Sequence, residues 1–120
     1  MNWKIPLFEL ETGPEELEAI ERVVKSGWLS AGPETEAFER EFSEFLGGPK
    51  VLFVSSGTAA IHLALRALGV GPGEEVIVPA MTFVSTATPV LWLGAKPVFA
   101  DSESLENPNI SARTVEPLIT

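Results

Sequence analysis

An α/β fold is what this sequence predicts, and three observations carry it. Short apolar runs of strand type recur at 51–54, 75–79 and 97–100. Stretches of helical periodicity separate them. Gly69, Gly71-Pro72-Gly73 and Gly94 punctuate the alternation at the expected joints. Strands separated by helices of this length predict right-handed parallel βαβ units.

Residues 1–13 read as an extended arm. Ile5-Pro6-Leu7-Phe8 is apolar but holds a proline, which suits an edge or a packed tail. Thr12-Gly13-Pro14-Glu15 is a helix start, with Thr12 as cap, a proline in the first turn and a glutamate three residues after the cap. Leu17, Ile20, Val23 and Val24 then line one apolar face to about Lys25. Ser26 to Pro33 breaks the periodicity and reads as loop. A second helix follows over 34–46, with Phe38, Phe42, Phe45 and Leu46 on one face and Gly47-Gly48-Pro49 ending it. The glutamates at 34, 36, 39, 41 and 44 read as its solvated side.

From Val51 the chain alternates. A strand over 51–54 leads to a helix over 57–68, closed by Gly69. A second strand spans 75–79, a helix about 84–93, and a third strand 97–100, followed by Asp101. Pro89 falls inside the predicted helix and should bend it. Ser102 to Asn109 is polar loop, and 111–119 begins another helix. The division is therefore an arm and two helices over 1–50, then a βαβαβ stretch over 51–120. Parallel sheets bury both faces, and three short strands make a thin one. The chain reads as the opening of a larger α/β domain.

The totals narrow the function. The chain has 120 residues and 45 % hydrophobic content, enough for a real core and against disorder. Net charge is −9, from 8 basic and 17 acidic residues, which argues against a nucleic-acid or anionic-membrane surface. Without cysteine there is no thiolate metal site or cysteine nucleophile, and one histidine excludes a histidine metal cluster. No signal peptide and no bilayer-spanning stretch is visible, so a cytoplasmic protein is expected.

The most informative segment is Val51-Leu52-Phe53-Val54-Ser55-Ser56-Gly57-Thr58. A strand-type run stops at two serines and a glycine, and helical periodicity begins at once. That places free N–H groups, hydroxyls and the positive end of a helix dipole at one point, which suits a phosphate. Gly57 lacks a Cβ, so a ligand can approach the backbone. The segment is neither a P-loop nor a dinucleotide fingerprint, since no Gly-Lys-Ser/Thr follows and the glycine spacing differs. The same residues also make an ordinary helix cap. Likewise Phe83, taken alone, reads as a core aromatic, Trp28 as a tryptophan packed on the surface, His62 as a hydrogen-bonded helix-face residue and Asp101 as a loop cap.

Five blocks in register resemble one family. They are Gly27-Trp28-Leu29-Ser30-Ala31-Gly32-Pro33, Ser55 to Leu65, Gly71 to Pro79, Met81-Thr82-Phe83-Val84-Ser85-Thr86, and Gly94 to Phe99 with Asp101. Together they are similar to the N-terminal part of the DegT/DnrJ/EryC1/StrS aminotransferases. These are pyridoxal 5'-phosphate (PLP)-dependent sugar aminotransferases of fold type I, and the resemblance covers nearly the whole chain. It implies the N-terminal portion of a large PLP-binding domain, with the sheet incomplete. It further implies that Ser56, Gly57 and Thr58 hold the PLP phosphate and that Phe83 stacks on the pyridine ring. Trp28, Leu29 and Ser30 would border the pocket of a nucleotide sugar near a homodimer interface. The amino donor implied is glutamate.

The same resemblance puts the lysine that carries PLP, and the aspartate beside the ring nitrogen, downstream of Thr120. Lys4, Lys25, Lys50 and Lys96 do not match that lysine's motif, so no catalytic residue is assigned in this chain. Alone it is expected not to transaminate. Three alternatives stand beside this reading. They are a sugar dehydratase of the same family, a truncated or split chain acting through a partner, and an unrelated small phosphate binder.

Overall fold

The computed structural model describes Ile5 and residues 8–120, so residues 1–4, 6 and 7 of the arm expected over 1–13 lie outside the described residues. The chain forms two compact units, the first ending at Phe53 and the second beginning at Val54.

The first unit carries α1 (Pro14–Ser26) and α2 (Pro33–Phe45). The cap of α1 is Gly13, one residue later than the expected Thr12. The shift follows from Glu16, whose Oε2 accepts the Gly13 N–H at 2.6 Å, so the reciprocal half of a capping box forms around Gly13. Pro14 then sits at the first helical position, where its missing N–H has no consequence. Gly27 ends the helix at φ 70°, a left-handed conformation that favours glycine.

Along α2 the expected phenylalanine face exists. Phe38 and Phe42 stack with centroids 5.5 Å apart, and Phe42 and Phe45 at 6.1 Å. Phe53 returns against this face, its ring edge-on to Phe38 at 5.7 Å. Its N–H donates to Glu39 Oε1 at 2.7 Å. The expected strand over 51–54 is therefore corrected. Among the described residues no neighbouring strand pairs with it, and the Phe53 amide is taken by a glutamate of α2 instead of a ladder. Glu39 in turn is not simply solvated.

The second unit carries α3 (Gly57–Ala67), β1 (Glu75–Pro79), α4 (Thr88–Trp92), β2 (Lys96–Ala100) and α5 (Ala112–Val115), with 3₁₀ turns at Val84–Thr86 and Glu116–Leu118. The two strands pair in parallel, Glu75 opposite Lys96 through Pro79 opposite Ala100. With α4 between them they make one βαβ unit, the only sheet among the described residues. The sequence-level βαβαβ is thus realised as a single βαβ preceded by a helix.

Gly69 closes α3 at φ 85°. The Gly69 amide returns to the Arg66 carbonyl at 3.1 Å and the Val70 amide to the Leu65 carbonyl at 3.0 Å, the two bonds of a Schellman motif. That turn puts Val70 and Leu65 against the core, whose buried members are Val78, Val90 and Ala95. Leu93 and Ala100 are buried as well.

Pro89 does not bend a helix over 84–93, as was expected. The segment divides into a 3₁₀ turn and α4, and Pro89 falls in the first turn of α4, where no intrahelical N–H bond is required. Thr88 bridges the break by donating its hydroxyl to the Val84 carbonyl at 2.9 Å. Residues 112–118 supply the expected last helical segment as α5 and a 3₁₀ turn.

Candidate functional site

The start of α3 is built by Ser56. Its backbone is extended, its Oγ accepts the Ala59 N–H at 3.1 Å, and its carbonyl accepts the Ala60 N–H at 3.0 Å. That satisfies the third and fourth amides of the helix. The Gly57 and Thr58 amides find no acceptor among the described residues. Two N–H groups thus remain free at the positive end of an 11-residue helix. The Ser56 hydroxyl, having accepted through its oxygen, keeps its proton to donate.

Gly57 leaves this point open. A Cβ built there would meet no heavy atom within 4 Å. Thr58 is half-buried, and its hydroxyl donates to Ser85 Oγ at 2.8 Å. Ser85 lies in the 3₁₀ turn that follows Phe83. The turn is braced by the Thr86 amide on the Phe83 carbonyl at 2.9 Å and by the Thr82 and Thr86 hydroxyls, also 2.9 Å apart. Phe83 itself is 77 % exposed. It belongs to no core here, and a large aromatic on a held turn is displayed rather than packed away. Ser56, Gly57, Thr58 and the Phe83 turn are therefore brought together, with Ser85 as the tie. Sequence reasoning gave Ser85 no role, since a serine in a loop has no periodic signal that marks its partner.

Chemically the place holds amides and hydroxyls. It can receive an anion, but it offers no group that exchanges a proton near neutral pH. Nearby features are less committed to a ligand. His62 faces Trp92 edge-on at 5.6 Å, and the expected hydrogen bond finds no partner among the described residues. Asp101 is exposed, and its Oδ1 accepts the Ser102 N–H at 2.8 Å, the cap role. Arg113 is held by Glu103, through Oε1 at 2.9 Å and the carbonyl at 2.6 Å.

In the first unit, Trp28, Leu29 and Ser30 are all exposed. The Trp28 indole N–H donates to the Ala31 carbonyl at 2.8 Å and lies against Gly32, where an added Cβ would overlap the ring. Trp28 borders a cleft of about 370 Å³ with Arg22, Val23, Pro33 and Thr35. Because its single donor is spent on Ala31, the indole can offer a ligand only its face and edge carbons.

Comparison with known proteins decides the family. The model of the DegT/DnrJ/EryC1/StrS aminotransferase family matches residues 11–120. The chain belongs to this family. A family relative, the spore coat polysaccharide biosynthesis protein SpsC of Bacillus subtilis, is 46 % identical over 101 residues, covering 84 % of this chain and 25 % of that protein. A Streptococcus pneumoniae protein assigned as a sugar aminotransferase and solved in its PLP form superposes with TM-score 0.84 at 36 % identity, over 98 % of this chain and 30 % of that one. GDP-4-keto-6-deoxy-D-mannose-3-dehydratase of Escherichia coli, solved with hydrated PLP, gives TM-score 0.83 at 27 % identity, over 96 % of this chain and 31 % of that one. The chain spans about a quarter to a third of the length of these family members. The α/β architecture is that of fold type I PLP aminotransferases, present here in part.

Proposed function

We propose that this chain is the N-terminal segment of a PLP-dependent aminotransferase that passes an amino group from glutamate to a keto-sugar nucleotide. One observation carries the reading: two amides without an acceptor among the described residues, beside an open Gly57 at the start of α3, tied through Ser85 to the displayed Phe83. The residues fit the cofactor's phosphate. A phosphate monoester presents only acceptor oxygens, and the cradle presents the Gly57 and Thr58 amides and the Ser56 hydroxyl. Phe83 would lay its ring on the pyridine and keep water from that face. Trp28, Leu29 and Ser30 are proposed as contacts of the nucleotide sugar. When bound, PLP supplies the electron sink for chemistry at the carbon that carries nitrogen.

The catalytic lysine is proposed to lie outside this sequence, so the 120 residues alone would not transaminate. The whole enzyme is proposed as a cytoplasmic homodimer. Among the described residues no helix is long and apolar enough to cross a membrane. Likeness to the E. coli dehydratase favours a second reading, a PLP-dependent sugar dehydratase.

The test is the intact mass of the native polypeptide, followed by spectroscopy of that product. The proposal expects a mass several-fold above 12.9 kDa, a PLP absorbance band, and a change of that band on adding glutamate. A product that binds PLP but ignores glutamate, while removing water from a keto-deoxy sugar nucleotide, would replace it with the dehydratase. A native mass near 12.9 kDa would turn the search to a partner chain that supplies the lysine.

A further inference from the structure

The cleft bordered by Trp28 combines one firmly held ring with one loosely paired couple of charges. Trp28 is fixed at three points. Its backbone N–H donates to Ser26 Oγ at 3.1 Å, and Ser26 is itself anchored by donating to the Val23 carbonyl at 2.7 Å. The indole N–H donates to the Ala31 carbonyl at 2.8 Å, and the ring lies against Gly32, where an added side chain would overlap it. Trp28 nevertheless stays 58 % exposed. Anchored this way and still open, it presents a fixed apolar face.

Arg22 and Glu34 line the same cleft. Arg22 Nε stands 3.6 Å from Glu34 Oε1, beyond hydrogen-bond reach, and both side chains are more than half exposed. Such a pair adds little to stability. A donor fork and an acceptor therefore stand side by side with their hydrogen bonds unspent. A nucleobase matches this combination. Its ring stacks on an aromatic face, and its edge sets an acceptor beside an N–H or amino donor. A phosphate matches it less well, because it presents only acceptors and Glu34 would repel it. The net charge of −9 is no obstacle to a neutral base. At about 370 Å³ the cleft is at the small end of ligand pockets, which suits one end of a nucleotide sugar rather than the whole.

We propose that the Trp28 cleft seats the nucleobase of the nucleotide sugar, with the base on the indole face, Arg22 donating to an acceptor on its edge and Glu34 accepting from the neighbouring N–H. This rests on the reading of the chain as part of an enzyme that takes a nucleotide sugar. It adds Arg22 and Glu34 to the residues that recognise that substrate, and it places the hexose outside this cleft.

The experiment titrates the native polypeptide by calorimetry with UDP-glucose, dTDP-glucose, CDP-glucose and GDP-mannose. The nucleotide sugar that binds most tightly is then split into two further probes, its nucleoside diphosphate and its sugar 1-phosphate. Trp28→Ala should weaken the nucleotide sugar and the nucleoside diphosphate about ten-fold, the worth of one stacked base, and leave the sugar 1-phosphate unchanged. Arg22→Met and Glu34→Ala should each weaken the same two probes about five-fold, the worth of roughly one hydrogen bond. Glu34→Gln keeps an acceptor and should fall between Glu34→Ala and the parent.

A nucleotide sugar that binds, with Trp28→Ala and Glu34→Ala both at parent affinity, would overturn the base site alone. So would a sugar 1-phosphate that loses as much affinity as the nucleoside diphosphate in these variants, since that would put the hexose in the cleft. A parent that binds none of the four nucleotide sugars would overturn the substrate reading and the base site together. If Trp28→Ala melts early, Glu34→Ala and Glu34→Gln decide, because the Glu34 side chain is 56 % exposed and its pairing with Arg22 is loose. Parent affinity in Glu34→Ala would then refute the proposal.

Discussion

Replacing Gly57 by alanine should separate folding from binding. At Gly57 an added Cβ would meet nothing within 4 Å, and the backbone is not in the left-handed region. Neither clash nor strain opposes the change. A Gly→Ala substitution at a compatible site stabilises by about 0.4–1 kcal/mol, by narrowing the unfolded ensemble. The melting temperature should rise by about 2–5 °C. The same methyl would stand beside the free amides of Gly57 and Thr58 and crowd an approaching anion. Losing one amide bond to a charged group costs about 2 kcal/mol, or about 30-fold in affinity. The assay pairs a thermal melt with PLP and pyridoxal titrations of the parent and variant. Unchanged PLP binding would refute the idea that Gly57 is there for ligand approach. A variant less stable than the parent would refute the open-space premise.

Three more outcomes follow from other sites. Val90 is fully buried, so Val90→Ala removes two core methyls and should cost about 2–3 kcal/mol in a urea or thermal melt, with a loss below about 0.5 kcal/mol contradicting the assigned core. In Gly32→Ala the new methyl evicts the Trp28 indole and breaks its bond to Ala31; the Trp28 indole N–H resonance should move toward its solvent-exposed position while that of Trp92 stays. The Gly13 amide bond holds the Glu16 carboxyl below its usual range. A depressed folded-state pKa gives a contribution present above the unfolded value and lost as pH falls through the folded one. The Gly13 amide shift should therefore titrate at a pH below the ordinary glutamate range, and this titration should vanish in Glu16→Gln.

Much of the proposed cradle was legible because it is local. A strand-type run, two serines, a glycine and a helical pattern occupy consecutive positions, and helix termini obey rules that span four residues. Family membership was legible for a similar reason, since the blocks that carry it are linear motifs. The strand at 51–54 was misread because apolar β-branched residues state a preference, whereas a strand exists only beside a partner. Phe53 instead gives its N–H to Glu39 and its ring to Phe38. The cap of α1 slipped by one residue because Glu15 and Glu16 both stand near the right spacing, and only the folded turn selects which one reaches back.

By itself, then, the sequence determined α1, α2 and α3, the turn glycines, the phosphate-suited start of α3 and the kinship with sugar aminotransferases. Only the tertiary structure decided which strands pair, where Pro89 falls, that the Phe83 ring is displayed and that Ser85 meets Thr58. The first set depends on neighbours within a turn of chain. The second depends on contacts such as the one across 27 residues between Thr58 and Ser85, whose geometry is set by how α3 packs on the following turn.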